Sequence, residues 1–308
     1  MNPDTILNII KKGVVAENVP MSAYTTFQVG GPAELFVTPG DVSELCGIIK
    51  ELSKEGKEYF ILGNGSDLLV SDKGFHGVVI NLGRNQFPDF SGVCVHKNGE
   101  EALIEAGAGV KMSAIGKLAE ELSLTGFEPL TGIPGTIGGA LAMNAGAYGG
   151  EIKDVFFSGT AVDPKGEIIE LKPEEMDFGY RASAITNKGL IVTKAVIRLQ
   201  KGDAEEIRRK VSELAGKRKE KQPLEYPSAG STFKRPEGFF AGKLIEDAGL
   251  KGYRIGGASV STKHCGFIVN DDHATASDIY DLIMSVQRKV QENSGVLLDP
   301  EVKFLGDF

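Results

Sequence analysis

The chain is poor in the groups that metal, disulfide or nucleic-acid chemistry needs. It has three cysteines in 308 residues, Cys46, Cys94 and Cys265, far apart and with no CxxC. So small and scattered a set builds no disulfide framework, so a reducing cytoplasm is expected, with all three thiols packed as small hydrophobes. The four histidines, at 76, 96, 264 and 273, have no metal-ligand spacing. Cations number 34 against 42 anions, a net charge of −8. An acidic chain lacks the basic face that nucleic acid requires, and it must gather its cations locally to bind anions. No apolar run approaches the ~20 residues of a membrane span. At the N-terminus an acid precedes the apolar residues and Lys11-Lys12 follow them, the reverse of a secretory signal. GxxxxGK[ST] is missing, which disfavours a P-loop ATPase, and no internal repeat suggests a solenoid.

Glycine is what the chain has in excess. There are 40, clustered at 30–31, 63–65, 107–109, 132–150 and 252–257. Glycine serves where backbone turns tightly or approaches a ligand closely, and ordinary turns between short strands account for part of the excess. With 41% hydrophobic and 25% charged residues, the composition is that of a globular protein with two or three domains. Strands are expected over 33–37, 59–62, 77–82, 102–106 and 190–199. Helices are expected over 41–56, 113–122, 204–220 and 277–291. In the 204–220 helix Ile207, Val211 and Leu214 form the buried stripe. In the last helix Thr275 and Asp278 stand at capping-box spacing ahead of Ile279, Leu282, Ile283, Val286 and Val290. A change of character at Lys201 marks a domain boundary.

Gly63-Asn64-Gly65-Ser66-Asp67-Leu68 follows a predicted strand but misses the dinucleotide fingerprint, because Leu68 stands where the third glycine belongs. Gly107-Ala108-Gly109 fails in the same way at Met112. What remains is simpler: exposed amides in such turns can bind phosphate oxygens as a nest. The run from Thr131 to Gly150 has almost no bulk or charge. It is suited to lie flat against an extended cofactor; the alternative is a packed glycine-rich helix start and loop.

Six motifs, in order, carry a resemblance. Thr25-Thr26-Phe27-Gln28-Val29-Gly30-Gly31-Pro32-Ala33, Gly63–Leu69 and Gly132–Ala140 resemble the FAD-binding half of the UDP-N-acetylenolpyruvoylglucosamine reductase family. Tyr180-Arg181-Ala182-Ser183, Ala229-Gly230-Ser231-Thr232-Phe233-Lys234 and Pro300-Glu301-Val302-Lys303-Phe304 resemble its catalytic segments. The resemblance runs from about Ser22 to Gly306 and is to the short-loop type II members. Only eight residues separate Arg181 from Leu190, leaving no room for a capping tyrosine loop, and Arg235 stands where longer members have asparagine.

The resemblance implies an α+β fold with three parts. These are an N-terminal helical segment (1–20), a two-part FAD-binding region of the PCMH or vanillyl-alcohol-oxidase type (21–200), and a C-terminal α+β substrate domain (201–308) whose final strand returns to the active site. It implies non-covalent FAD, NADPH as reductant, a UDP-sugar substrate and a cytoplasmic monomer. It assigns Arg181, Ser231 and Glu301 to catalysis. The cofactor falls to Gly63, Asn64, Gly65, Ser66, Asp67, Leu68, Thr131, Gly132, Pro134, Gly135, Gly138, Gly139, Asn144, Ala145 and Gly146. The substrate falls to Tyr180, Lys221, Lys234, Arg235, Lys243 and His264. Ordinary readings stay open beside these: a surface ion pair for Arg181, a turn serine for Ser231, a strand-edge carboxylate for Glu301 and a solvated helix face for Lys221. A sugar or alcohol oxidase of the same superfamily and a non-catalytic sugar-nucleotide-binding protein are the rival functions.

Overall fold

The computed structural model describes residues 3–308. By compactness the chain forms two units. The first comprises residues 3–17, 35–64 and 77–216, and the second residues 18–34, 65–76 and 217–308.

The first unit holds helices α1 (Pro3–Ile9), α2 (Val42–Glu55), α3 (Pro88–Ser91), α4 (Met112–Glu121), α5 (Ile137–Met143), α6 (Ala184–Asn187) and most of α7 (Ala204–Lys221). Helix α2 starts where the Asp41 side chain accepts from the Glu44 amide, and stops at Gly56 in the left-handed region. Its buried face is Leu45, Ile48, Ile49 and Leu52. Six strands form an antiparallel sheet in the order Ile168–Leu171, Phe156–Val162, Ile191–Lys201, Glu101–Gly107, Val93–Asn98, with Leu124–Thr125 pairing the end of Ile191–Lys201. Tyr59–Leu62 runs parallel to 78–81, in register Tyr59↔Val78 to Leu62↔Asn81. One continuous core fills this unit, from Ile6 and Leu35 through Phe90 and Phe127 to Leu199. Burying each such large apolar side chain contributes roughly 1.5–3 kcal/mol.

The second unit is built on α9 (Ala276–Ser294), with α8 (Ala241–Asp247) beside it. Thr275 and Asp278 make the reciprocal capping box, and Ile279, Leu282, Ile283, Val286 and Val290 are all buried. They pack on a three-stranded antiparallel sheet, Arg254–Ile255, Ala258–Val260 and Ile268–Asn270. The final strand, Lys303–Leu305, pairs in parallel with Leu68–Val70.

Three expectations need correction. The N-terminal segment expected to be helical over 1–20 is helical at Pro3–Ile9 only, and Val14–Pro20 is a strand; residues 1 and 2 lie outside the described residues. On α7 only Ile207 is buried, because Val211 and Leu214 meet solvent in part. Among the cysteines, Cys265 is buried and Cys46 partly so, but Cys94 is exposed, on the edge strand of the six-stranded sheet.

Candidate active site

In the first unit both glycine motifs face one apolar cavity of about 120 Å³. Gly63, Thr136, Gly138 and Gly139 line it beside Ile61, Leu62, Leu82, Ala108 and Ala142; Ile185, Leu190, Ile191 and Val192 supply the rest of the lining. The run that could have lain flat is instead a helix start over its middle. Thr136 is the N-cap of α5, its hydroxyl accepting from the Gly139 amide at 3.3 Å. A Cβ on Gly138 would stand 3.0 Å from that of Ala108, and one on Gly63 would stand 2.9 Å from Thr136 Oγ1. Asn64 Nδ2 donates to the Pro134 carbonyl at 2.6 Å, tying the first motif to the second. Thr131 donates its hydroxyl to the Phe127 carbonyl at 3.2 Å.

The fit to a flavin dinucleotide can be judged from the amides. Among the described residues, the backbone N–H groups of Gly63, Asn64, Gly132, Gly135 and Thr136 donate to no protein acceptor. Amides left open around an apolar cavity with glycine walls are what a pyrophosphate and its flat attached rings require. The residues present fit the group.

Arg181 lies at the other end of α5. Gly179–Ala182 is a tight turn closed by Gly179 N–H to Ala182 O at 3.0 Å and Ala182 N–H to Gly179 O at 3.4 Å. Arg181 is its third residue, at φ +54°. The guanidinium lies 5.0 Å from the centre of the half-exposed Tyr180 ring, and Nη2 donates to the Gly146 carbonyl at 3.4 Å. Ser183 and Thr186 donate their hydroxyls to the Ala142 carbonyl, both at 2.9 Å, docking the segment on the C-terminus of α5. The Asn144 side chain is fully buried and bonded to protein on all sides, whereas Ala145 is held through its backbone, donating to Ala140 O and accepting from Ile152 N–H. The Lys153 ammonium holds the Glu151 carboxyl below its usual range, aided by Asn144 and by the positive charge of Arg181.

The second unit brings Ser231 and Glu301 together. Glu301 N–H donates to the Thr232 carbonyl at 2.8 Å, Phe233 bridges to Pro300, and Lys234 N–H donates to the Asp299 carbonyl at 2.8 Å. This isolated bridge sets Ser231 and Glu301 on neighbouring segments, with Glu301 opposite Thr232 and Ser231 one residue away. Thr232, fully inside, locks the bridge by donating N–H to the Gly266 carbonyl and accepting from Ile268 N–H on its hydroxyl. Ser231 itself is exposed, follows Gly230 at φ +76°, and among the described residues its hydroxyl has no protein partner. Two residues past Glu301, Lys303 N–H donates to the Asp67 carbonyl at 3.0 Å, joining the bridge to the turn Gly65-Ser66-Asp67-Leu68. Gly65 is there for space: at φ +65°, its Cβ would stand 2.0 Å from the Tyr24 carbonyl oxygen.

The remaining substrate candidates divide. Lys234 Nζ is paired with Asp299 at 2.6 Å. Arg235 lies over the Phe240 ring at 4.0 Å and donates Nε–H to the Phe239 carbonyl. Lys243 on α8 pairs with Asp247 one turn on, and Lys221 ends α7 exposed; neither bonds to the bridge. His264 is near it: Nδ1 accepts from Gly266 N–H at 3.0 Å, and burial pushes its pKa down, so the ring is neutral at pH 7. His76, His96 and His273 are exposed. Arg181 lies in one unit, while Ser231 and Glu301 lie in the other. Sequence reading missed Thr136, Ile185 and Asp299. Thr136 was findable as an N-cap before a helical run; the other two carry no local signal.

Comparison with known proteins agrees with this geometry. Residues 33–172 match a family described as FAD binding domain, and residues 222–305 match the C-terminal domain of UDP-N-acetylenolpyruvoylglucosamine reductase. The reductase of that name from Lachnoclostridium phytofermentans is 50% identical over 301 residues, covering 97% of this chain and 96% of its own. That from Caldanaerobacter subterraneus is 50% identical over 306 residues, covering 99% and 98%. The crystal structure of the Thermus caldophilus reductase covers 96% of this chain and 100% of its own at 36% identity, with a TM-score of 0.80. With end-to-end likeness in sequence and in fold, the chain belongs to the UDP-N-acetylenolpyruvoylglucosamine reductase family.

Proposed function

We propose that the protein reduces the enolpyruvyl ether of UDP-N-acetylglucosamine to UDP-N-acetylmuramate for peptidoglycan synthesis, consuming one NADPH and one proton per turnover. A flavin held by the glycine turns around Gly63–Gly65 and Gly132–Gly139 would supply hydride chemistry at the terminal vinyl carbon, with NADPH as reductant. The chain's own residues must then manage the charge that collects on the carbon next to the carboxylate. Arg181 binds that carboxylate; its planar fork matches the two oxygens and stays protonated. Ser231 gives its proton to the carbanionic carbon. A hydroxyl is a weak acid in water, but a carbanion is a far stronger base than an alkoxide, so the transfer runs downhill at ~3 Å. Lys234, three residues on, steadies the alkoxide left behind, and Glu301 holds the carboxylate geometry or hydrogen-bonds its enolic form.

The observation that supports this reading is the Thr232–Glu301 backbone hydrogen bond, which holds the segments of Ser231, whose hydroxyl has no protein partner among the described residues, and Glu301 side by side. Residues 21–200 hold the flavin, and 201–308 take the sugar nucleotide. Lys221, Arg235, Lys243 and His264 are candidates for its diphosphate, uridine and sugar, with Tyr180 beside Arg181. The scattered free thiols favour the cytoplasm, and we read the chain as a monomer, which light scattering tests. No helix among the described residues is long and apolar enough to cross a membrane.

The test is direct. Purified protein is expected to be yellow, to release its flavin on acid precipitation, and to oxidise NADPH beyond one equivalent per flavin only when the enolpyruvyl sugar nucleotide is present. The product should be heavier by two hydrogen atoms. Flavin retained in the precipitate would favour the oxidase, and a colourless preparation the binding protein.

A further inference from the structure

We propose that Asn144 is a positioning residue for Arg181: its buried carboxamide fixes the turn that presents the guanidinium, and the side chain does not contact the cofactor. The inference rests on Arg181 being the carboxylate-binding residue.

Each polar atom of the carboxamide is already engaged by protein. Asn144 is 0% exposed. Nδ2 donates to the Gly179 carbonyl at 2.9 Å and to Glu151 Oε2 at 3.1 Å, while Oδ1 accepts from Lys153 N–H at 3.3 Å. Both amide hydrogens and the oxygen are thus engaged by protein. A cofactor contact from Asn144 therefore falls to its backbone.

What the carboxamide holds is a disfavoured turn. Its third residue normally is glycine or asparagine when φ is positive. Here it is Arg181 at φ +54°, where a Cβ crowds the backbone. Such a conformation persists when its surroundings over-determine it. Gly179 opens the turn, and its carbonyl takes both the turn's own closing bond and the Asn144 bond. Asn144 is itself at φ +44°, the left-handed cap of α5. Glu151 completes the frame, because it pairs in register with Gly146, the residue whose carbonyl receives Arg181 Nη2. One side chain therefore couples the end of α5, the short 146–151 hairpin and the arginine turn.

Two variants of the flavin-loaded enzyme test this. Asn144→Gly keeps the left-handed backbone and deletes the carboxamide. Asn144→Asp keeps the shape and the acceptor for Lys153, loses both donors, and sets a carboxylate against Glu151. Flavin content and the rate of flavin bleaching by NADPH should stay within about twofold of wild type. The kcat for the enolpyruvyl substrate, normalised to bleachable flavin, should fall about 10- to 100-fold, since a small misplacement of a substrate-holding group costs up to about 10²-fold. A fall confined to the substrate half of the cycle is not what general loosening gives, because partly unfolded protein drops out of the normalised rate. Should Asn144→Gly fail to fold, Asn144→Asp decides alone. The proposal is overturned if a folded variant keeps kcat within twofold, or if folded Asn144→Asp has lost its flavin, which would put the carboxamide at the cofactor. Arg181→Lys separates the two readings. Wild-type turnover in Arg181→Lys would remove the role of Arg181, and this inference with it. A large loss in Arg181→Lys beside intact Asn144 variants would remove this inference alone.

Discussion

Gly63 and Gly65 stand two residues apart in one motif, yet different neighbours require them. Gly63 belongs to the first unit, where a Cβ would press on a side-chain oxygen, Thr136 Oγ1, at 2.9 Å. Gly65 belongs to the second, where a Cβ would meet a backbone carbonyl, that of Tyr24, at 2.0 Å with φ already positive. The same contrast separates the residues proposed for each unit. The first unit offers mostly backbone: open amides, glycine walls and an apolar cavity, with Arg181 as the one charged group proposed to act there. The second offers side chains, Ser231 and Glu301, beside a short bridge held by the Glu301–Thr232 and Lys234–Asp299 backbone hydrogen bonds. Binding a flat, phosphate-bearing cofactor asks for surface and amides, whereas moving a proton asks for a specific hydroxyl in a specific place.

That contrast can be broken in order of effect. Among these changes the largest should come from Arg181→Ala, which removes the one cation proposed for the first unit's share. Loss of a preorganised charge-stabilising group costs about 10²–10³-fold in kcat. Steady-state kinetics should show it with flavin content unchanged, and an unchanged kcat would assign catalysis to the second unit alone. Next come the two glycines. Gly65→Ala must shift backbone and should cost about 3 kcal/mol of stability, visible as a fall in Tm of the yellow protein. Gly63→Ala displaces only a hydroxyl cap and should cost about 1 kcal/mol, with weaker flavin retention as its main sign. Equal Tm losses in the two variants would erase the distinction between them. The smallest effect is a pH dependence in the second unit. The Thr275 amide, and then that of Gly257, hold the Asp278 carboxyl below the usual carboxylate range. Its folded pKa is depressed, so its stabilising share is full above the unfolded value and is lost as pH falls through the folded one. Asp278→Asn should lower Tm at pH 6 and much less at pH 2.5; an equal drop at both would assign the effect to shape instead of charge.

Legibility in the sequence followed the same division. Helices α2 and α9 were readable because their ends are written locally: Asp41 and Gly56 in one, Thr275 and Asp278 in the other. Val14–Pro20 was not readable as a strand, since its side chains are exposed or half-buried and set no clear period. Val211 and Leu214 look like a core stripe on α7, but that helix has little beyond Ile207 to bury. Both glycine motifs were visible as candidate cofactor turns, because few other uses need four glycines among the eight residues 132–139. The helix inside the second motif was hidden by those same glycines, which are poor helix formers. Ser231, Arg181 and Glu301 were legible through resemblance alone. No local rule marks a serine as a proton donor, and nothing in Tyr180-Arg181 predicts a left-handed arginine.

The proton transfer assigned to Ser231 is tested most directly by stopped-flow absorbance of the flavin in Ser231→Ala. Bleaching by NADPH should proceed at the wild-type rate, while return of colour on mixing with the enolpyruvyl sugar nucleotide should slow by about 10²–10⁴-fold, the usual worth of a positioned acid. If bleaching slowed as much as the return of colour, or if colour returned at the wild-type rate, Ser231 would not be the proton donor.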